Sequence, residues 1–269
     1  MIIDAWGQIP TERMLASPWF EPLLRWQGQE DGASPISVAT TLDAMDAAGV
    51  DLMLLSAWSG PQGWLISNDE LDAQILAAPD RFRGVLSIDL NRPADAAAEI
   101  RKRFDTGRYV GVRVLPWVWD LPPNHALFYP VYAACVEVGA AFCTQIGHTG
   151  PLRRSEVGRP IPYLEDVLLH FPDLTVVGGH VGFPWVSEVI SLTVKFPNFH
   201  IDTSAYALHR LPPDFAFFLA TLGAKRVMFG SNWPMIAPEK CLKGLDGLNL
   251  NEETRAAYLS GNATRVFKL

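Results

Sequence analysis

Positive charge is the scarcer sign in this chain of 269 residues: 22 Lys and Arg stand against 29 Asp and Glu, a net charge of −7. Binding to a phosphate backbone needs a cationic surface, so nucleic acid is excluded as a partner. Cysteine is scarcer still. Cys135, Cys143 and Cys241 are far apart and form no CxxC pair. With no signal peptide at the start, this usage points to a reducing cytoplasm. No apolar run approaches the ~18 residues that a membrane span requires, so the expected partner is a small molecule rather than a bilayer. No GxGxxG follows an early strand, which removes the usual fingerprint of a doubly wound dinucleotide-binding sheet. Repeats, linkers and low-complexity stretches are also absent, so residues 1–269 read as one domain.

What is present is an apolar content of 49%, which suits a well-buried globular chain. Short apolar runs occur at 1–5, 51–57, 83–89, 109–115, 140–147, 174–179, 199–203 and 226–230. Their continuous hydrophobicity is that of strands buried on both faces of a parallel sheet. Helical spacing lies between them, at 37–48, 68–78, 93–104, 128–138, 163–170, 184–196, 214–222 and 239–245. In the first of these it is carried by Val38, Leu42 and Met45; in the third, Pro93 falls in the first turn, where its missing N–H is tolerated. Strands alternating with helices in this way predict an α/β fold, a single (β/α)8 TIM barrel, for which ~250 residues is typical. The stretch 6–35, after strand one, precedes the first clear helix and holds Trp19, Phe20, Leu23, Leu24 and Trp26. A connection this long reads as a loop or lid, as a short aromatic helix over the barrel mouth, or as an interface. Monomer and homodimer are both open.

Chemistry in such a barrel sits at the C-terminal ends of the strands. That rule selects Trp6 and Gln8, Trp58, Asp89, Arg113 and Trp117, His148, His180, Asp202 and Asn232, in strand order. His148 and His180 lie in Gly147-His148-Thr149-Gly150 and Gly178-Gly179-His180-Val181-Gly182, where glycine lets the backbone approach a ligand. Two such histidines can ligate a metal or act as an acid–base pair; alternatively each bonds its own loop. Arg113, inside an apolar run, either grips a substrate carboxylate in bidentate fashion or pairs with Asp89 or Asp202. Asp202 either orients a histidine, serves as a base, or caps the loop that follows. Asp4 reads as structural, binding neighbouring backbone amides. Trp6, Trp58, Trp117, Trp119 and Trp233 follow strands, where they would wall a pocket for a flat apolar ring unless they belong to the core. His125, His170, His200 and His209 fall in helices or variable loops and read as structural or solvated.

Taken together, these segments resemble the amidohydrolase superfamily, in the branch that contains aminocarboxymuconate-semialdehyde decarboxylase and other aromatic-acid decarboxylases. The resemblance spans the chain. It is carried by Ile3-Asp4, His148-Thr149-Gly150, Gly179-His180-Val181-Gly182, Ile201-Asp202-Thr203-Ser204, Phe229-Gly230-Ser231-Asn232-Trp233-Pro234 and the closing Gly261-Asn262-Ala263-Thr264-Arg265-Val266-Phe267. The family pattern begins Asp-x-His-x-His, or Glu-x-His, and the matching positions here are Trp6 and Gln8. The family's strand-five histidine matches His148. Its strand-six histidine, a second ligand or an acid–base, matches His180, and its strand-eight aspartate matches Asn232. Catalytic zinc typically takes about three protein ligands. Two histidines beside neutral amides would hold it weakly, and the missing carboxylate removes both an offsetting charge and a base. No tightly bound cofactor is therefore expected; a weak divalent metal such as zinc would use His148 and His180.

The resemblance implies an amidohydrolase-like enzyme acting on a small cyclic or aromatic carboxylate, a decarboxylase-type C–C lyase that works without a tightly bound metal. Its catalytic groups would be His180, His148 and Asp202. Trp6, Gln8, Trp58, Arg113, Trp117 and Asn232 would bind the substrate. The alternative is a hydrolase that opens a lactone or cyclic amide, with His180 or Asp202 as general base for water. A second alternative is a ligand-binding barrel without catalysis.

Overall fold

Eight parallel strands pair in chain order: β1 (Ile3–Gly7), β2 (Leu52–Ser56), β3 (Phe82–Leu86), β4 (Tyr109–Arg113), β5 (Ala141–Gln145), β6 (Val176–Gly179), β7 (Phe199–Asp202) and β8 (Val227–Met228). The computed structural model describes residues 1–26 and 36–269. Each strand falls on an expected apolar run, although β1 continues to Gly7, past the expected end at residue 5. The sheet closes because main-chain bonds continue beyond the short β8. Ala5 N donates to Phe229 O at 3.0 Å, Asn232 N to Trp6 O at 2.8 Å and Gln8 N to Trp233 O at 3.0 Å. The result is a TIM barrel.

Inside the barrel, Ile3, Ala5, Leu54, Val85, Cys143, Val177 and Met228 form one apolar cluster. Val266 and Phe267 of the C-terminal helix Asn262–Phe267 join it. Asn262 Nδ2 donates to Ala224 O and Val227 O at 2.9 and 2.7 Å, and Lys268 Nζ to Gly139 O at 2.9 Å. These acceptors precede or start β8 and β5, so the helix plugs the N-terminal end. The larger cluster lies between strands and helices.

The helices Val38–Ala48, Asn68–Ala77, Pro93–Phe104, Tyr129–Val138, Glu165–His170, Val186–Lys195, Pro213–Ala220 and Pro238–Leu242 occupy the eight expected places. Their ends follow local chemistry. The Ser37 hydroxyl accepts from Thr40 N at 3.0 Å, and Gly49 ends that helix at φ +67°. Ser67 and Glu70 form a reciprocal capping box at the next helix.

The long loop expected after β1 is not confirmed; the described part is helical, in keeping with the alternative of a short helix there. Glu12–Leu15, Pro18–Phe20 and Glu21–Trp26 are helical. Each is too short for a hydrophobic period to register, though Thr11 caps the first by accepting from Met14 N at 3.2 Å. Residues 27–35 and the side chains of Leu23 and Trp26 lie outside the described residues. A hairpin, Trp58–Gly60 with Gly63–Ile66, was not foreseen. A Cβ at Gly60 would lie 2.8 Å from Val118 and 3.4 Å from Trp19. Glycine there lets the hairpin, the N-terminal helices and the turn after β4 meet over one end of the barrel. No helix among the described residues is long and apolar enough to cross a membrane.

Asp4 ties β1 to the segment after β8. Its Oδ1 accepts from Ser231 N at 2.8 Å and Trp6 N at 3.1 Å, and its Oδ2 from the Ser231 hydroxyl. Its structural reading from sequence fits this geometry. Asp4→Ala leaves these buried donors without an acceptor and is expected to cost roughly 2–5 kcal/mol, measured by urea denaturation; Asp4→Asn, which keeps Oδ1, costs less. Burial raises the Asp4 carboxyl from 3.8 to about 7 against the pull of its Ser231 bonds. The folded chain thus holds a proton that the unfolded chain releases, and this contribution falls as pH rises from about 4 to about 7. Asp4→Asn removes that component, so the stability gap between the variant and the parent changes across this window; parallel pH profiles would contradict the assignment.

Candidate active site

The C-terminal ends of the strands open on a cavity of about 510 Å³. Trp6, Gln8, Trp58, Trp117, His148, His180 and Asn232 all line it, whereas Arg113 and Asp202 do not. Register explains the division. Arg113 pairs with Cys143 and Asp202 with Met228, and both partners belong to the inner apolar cluster. Gln145, two residues beyond Cys143 and paired with Gly179, does reach the cavity.

Trp6 forms the floor. Its side chain is buried, and the Arg113 guanidinium carbon stacks 3.6 Å from the ring centre, within range of a strong cation–π attraction. A Cβ on Gly179 would fall 2.4 Å from the indole, so glycine at that position admits the ring. Arg113 Nη2 donates to Ala5 O at 3.3 Å, while Nε and Nη1 have no partner among the described residues. The expected bidentate grip of Arg113 on a substrate carboxylate is therefore corrected: the guanidinium is sealed among interior side chains and holds the floor. Burial lowers its pKa to about 10, with Asp202 and Asp4 pulling the other way through space. It remains charged near neutrality. Asp89, the other acid considered for it, accepts from Asn91 N at 2.9 Å and caps its own loop.

His180 stands beside the floor, its ring centre 4.8 Å from that of Trp6. The chain turns sharply here, with φ +74° at His180, +51° at Val181 and +78° at Gly182. Its Nδ1 lies 2.6 Å from Ser204 Oγ. Burial, helped by the Arg113 charge, pushes its pKa down to about 3, so the imidazole is neutral across the physiological range. Asp202, fully buried, accepts from Ser204 N at 2.9 Å, and burial raises its carboxyl to about 6. It supports the wall and does not face the cavity. His148 also lines the cavity, its backbone fixed by Phe183 O at 2.6 Å and Gln145 Nε2 at 2.8 Å.

Gln8 and Asn232 form an amide pair. Gln8 Nε2 donates to Asn232 Oδ1 at 3.3 Å and to Trp233 O, leaving Gln8 Oε1 without a partner among the described residues. Gln8 Oε1 is itself buried, so what the pair presents to the cavity is the Asn232 amide, with Nδ2 as a donor. The aromatic wall combines three segments. Trp58 and Trp117 meet edge-on at 6.1 Å, Trp19 meets Trp117 edge-on at 5.8 Å, and Phe20 packs on Trp58 at 6.1 Å. Trp117 Nε1 donates to Gln145 Oε1 at 2.8 Å. Trp119 and Trp233 do not line the cavity; Trp233 Nε1 bonds Thr41 Oγ1 at 3.1 Å instead.

Gln145, Tyr206 and Arg210 line the cavity and were missed from sequence. Gln145 was detectable as a polar residue ending an apolar strand. Tyr206 and Arg210 follow β7 in a loop, where no periodicity marks them. Arg210 ends the turn Leu208–Arg210 and forms no ion pair among the described residues. It is the only Arg or Lys among the described cavity-lining residues.

The model of a family described as amidohydrolase matches residues 62–269. The gamma-resorcylate decarboxylase of Rhodococcus jostii (strain RHA1) is 23% identical over 257 residues, covering 76% of this chain and 75% of that protein. An uncharacterised TIM-barrel protein from Bordetella bronchiseptica has a TM-score of 0.85 at 27% identity, covering 99% of this chain and 98% of that one. A dihydroxybenzoic acid decarboxylase from Polaromonas sp. JS666, solved with manganese and 2-nitroresorcinol, has a TM-score of 0.76 at 18% identity, covering 100% and 97%.

That relative holds manganese. Among the described residues of this chain, no three His, Cys, Asp or Glu side chains gather as a metal-binding group. Near the floor only His148 and His180 have ligating chemistry, beside two amides and an indole. These donors do not fit a firmly held divalent ion.

The geometry makes His180 a neutral imidazole in the free protein. Its ring resonances in an NMR titration are expected to stay constant from pH 8 down to about 5. An inflection near 6.5 at His180 would show that the site is wetter than its packing implies.

Proposed function

The chain belongs to the amidohydrolase family, and from that premise we propose that it is a carboxy-lyase releasing carbon dioxide from a small aromatic carboxylate without a tightly bound metal. The observation that carries this reading is the floor: Trp6 and the Gln8–Asn232 amides lie beside His180, with no carboxylate lining the cavity among the described residues. The decarboxylase relatives favour this reaction class over lactone or amide hydrolysis.

The substrate ring stacks against Trp58 and Trp117. Its carboxylate lies toward the floor, where Asn232 and His148 hydrogen-bond its oxygens, while Gln8, both of whose Nε2 protons go to Asn232 Oδ1 and Trp233 O, holds Asn232 in place. Preorganised amides can serve in this way. A carboxylate beside His180 favours the imidazolium and reverses part of the downward pressure on its pKa. His180 then takes a proton from solvent and delivers it to the ring carbon that bears the carboxylate. The new C–H bond forms, the C–C bond breaks, and its electron pair restores the aromatic ring as neutral carbon dioxide leaves. Arg210 at the mouth holds a second anionic or phenolic substituent away from the reacting carbon.

Mass spectrometry over a panel of hydroxylated aromatic carboxylates is expected to find loss of carbon dioxide. Gain of water would indicate the hydrolase, and binding with no product over the panel the non-catalytic barrel. His180→Ala is expected to lower kcat by about 100- to 10,000-fold. Arg210→Ala is expected to raise KM by about 10- to 100-fold with kcat nearly unchanged, as loss of a charge-assisted contact implies. Elemental analysis of protein purified without chelator is expected to find less than one zinc or manganese per chain; a stoichiometric metal whose removal abolishes turnover would overturn the metal-free reading.

A further inference from the structure

β6 and β7 end face to face. Ser204 is buried, with Oγ 2.6 Å from His180 Nδ1 and its backbone N donating to Asp202 Oδ1 at 2.9 Å. The other carboxylate oxygen, Asp202 Oδ2, is buried and has no partner among the described residues. Two backbone features build this arrangement. His180 and Ala205 both have left-handed conformations, φ +74° and +66°, which turn the two strand ends toward each other. A Cβ on Gly230 would lie 3.0 Å from Asp202 Oδ1 and 3.2 Å from Ser204 Cβ, so glycine keeps β8 clear of the pair.

A hydroxyl has one proton, and the contact with Nδ1 allows two arrangements. If Ser204 donates to Nδ1, the imidazole carries its proton on Nε2 and offers the cavity a donor. If Nδ1–H donates to Ser204 Oγ, the hydroxyl proton must find another acceptor, and Nε2 offers the cavity a lone pair. As placed, Asp202 Oδ2 is not bonded to the Ser204 hydroxyl; lying beside Ser204 and lacking a second partner, it is the acceptor that this arrangement would recruit. The Ser204 hydroxyl and amide both favour its ionised form.

We propose that Ser204 is a positioning residue, turned by Asp202 to accept from Nδ1–H, so that His180 presents an unprotonated Nε2 to the substrate. This rests on the catalytic role assigned to His180 above. It specifies which nitrogen does the work: Nε2 takes the proton from solvent and passes it to the ring. Ser204 and Asp202 neither gain nor lose a proton over the cycle. A neighbour that fixes the tautomer is a recurring requirement where one imidazole nitrogen must stay free.

The test is long-range proton–nitrogen NMR of the imidazole in the free protein, with kinetics alongside. The wild type is expected to show His180 protonated on Nδ1 and bare on Nε2. Ser204→Ala is expected to move the proton to Nε2 and to lower kcat by about 10- to 100-fold with KM within about threefold; Ser204→Thr, which keeps the hydroxyl, restores both. Asp202→Asn, which keeps the carboxamide oxygen for Ser204 N, is expected to move the proton to Nε2 while Ser204 is intact. A wild-type His180 protonated on Nε2 overturns the proposal, as does a Ser204→Ala protein that keeps both the tautomer and kcat. The tautomer can be read without turnover, so a wild type that makes no product refutes the catalytic reading and leaves this arrangement to be judged by the spectrum.

Discussion

The stack of Arg113 on Trp6 is the contact on which the mouth of this barrel depends. A guanidinium with two unpartnered nitrogens is costly to bury. Here its compensation comes from an aromatic face at 3.6 Å, one carbonyl, and the fields of Asp4 and Asp202. The same indole then becomes the base of the cavity, so the interior charge is hidden from whatever binds above it. Removing either member would expose the other: the ring would lose its platform, or the cation would face the ligand. Gly179 belongs to this unit because any side chain there would collide with the ring.

The manganese-bearing structural relative shares this fold, and the metal-free reading proposed for this chain rests on the floor. The two barrels superpose along their full length, yet here the positions around the floor carry an indole and two amides. An amide pair can orient an oxygen but cannot neutralise a cation, and a neutral imidazole cannot do so either. The acids that remain, Asp4 and Asp202, are both committed elsewhere. One joins β1 to the segment after β8, and the other abuts Ser204.

The barrel was legible because its signal is redundant. Eight apolar runs alternate with eight helical patterns, and an error at one boundary does not disturb the rest. The site was legible in outline for a related reason: strand-end position brought Trp6, Gln8, Trp58, Trp117, His148, His180 and Asn232 to one cavity. Depth was not legible. A strand's last residue can face the cavity or the packed layer beneath it, and the difference is set by register with the neighbouring strand. Arg113 lies opposite Cys143 and Asp202 opposite Met228, which places both with the interior. Arg210 and Tyr206 escaped because loop residues have no period, and the hairpin Trp58–Gly60 with Gly63–Ile66 because each of its strands is too short to show one.

The left-handed residues at the strand ends have a consequence for how this protein can change. His180, Ala205 and Asn232, all lining the cavity, hold positive φ angles without being glycine, and each such residue stores on the order of 1–3 kcal/mol of strain. Glycine at any of them would relax the backbone and erase the side chain that the conformation displays. Sequence drift toward greater robustness therefore runs downhill through the same positions that define the pocket. Selection must keep resisting that drift for the pocket to persist, and a lineage released from that selection would lose these side chains while keeping an intact, sturdier barrel.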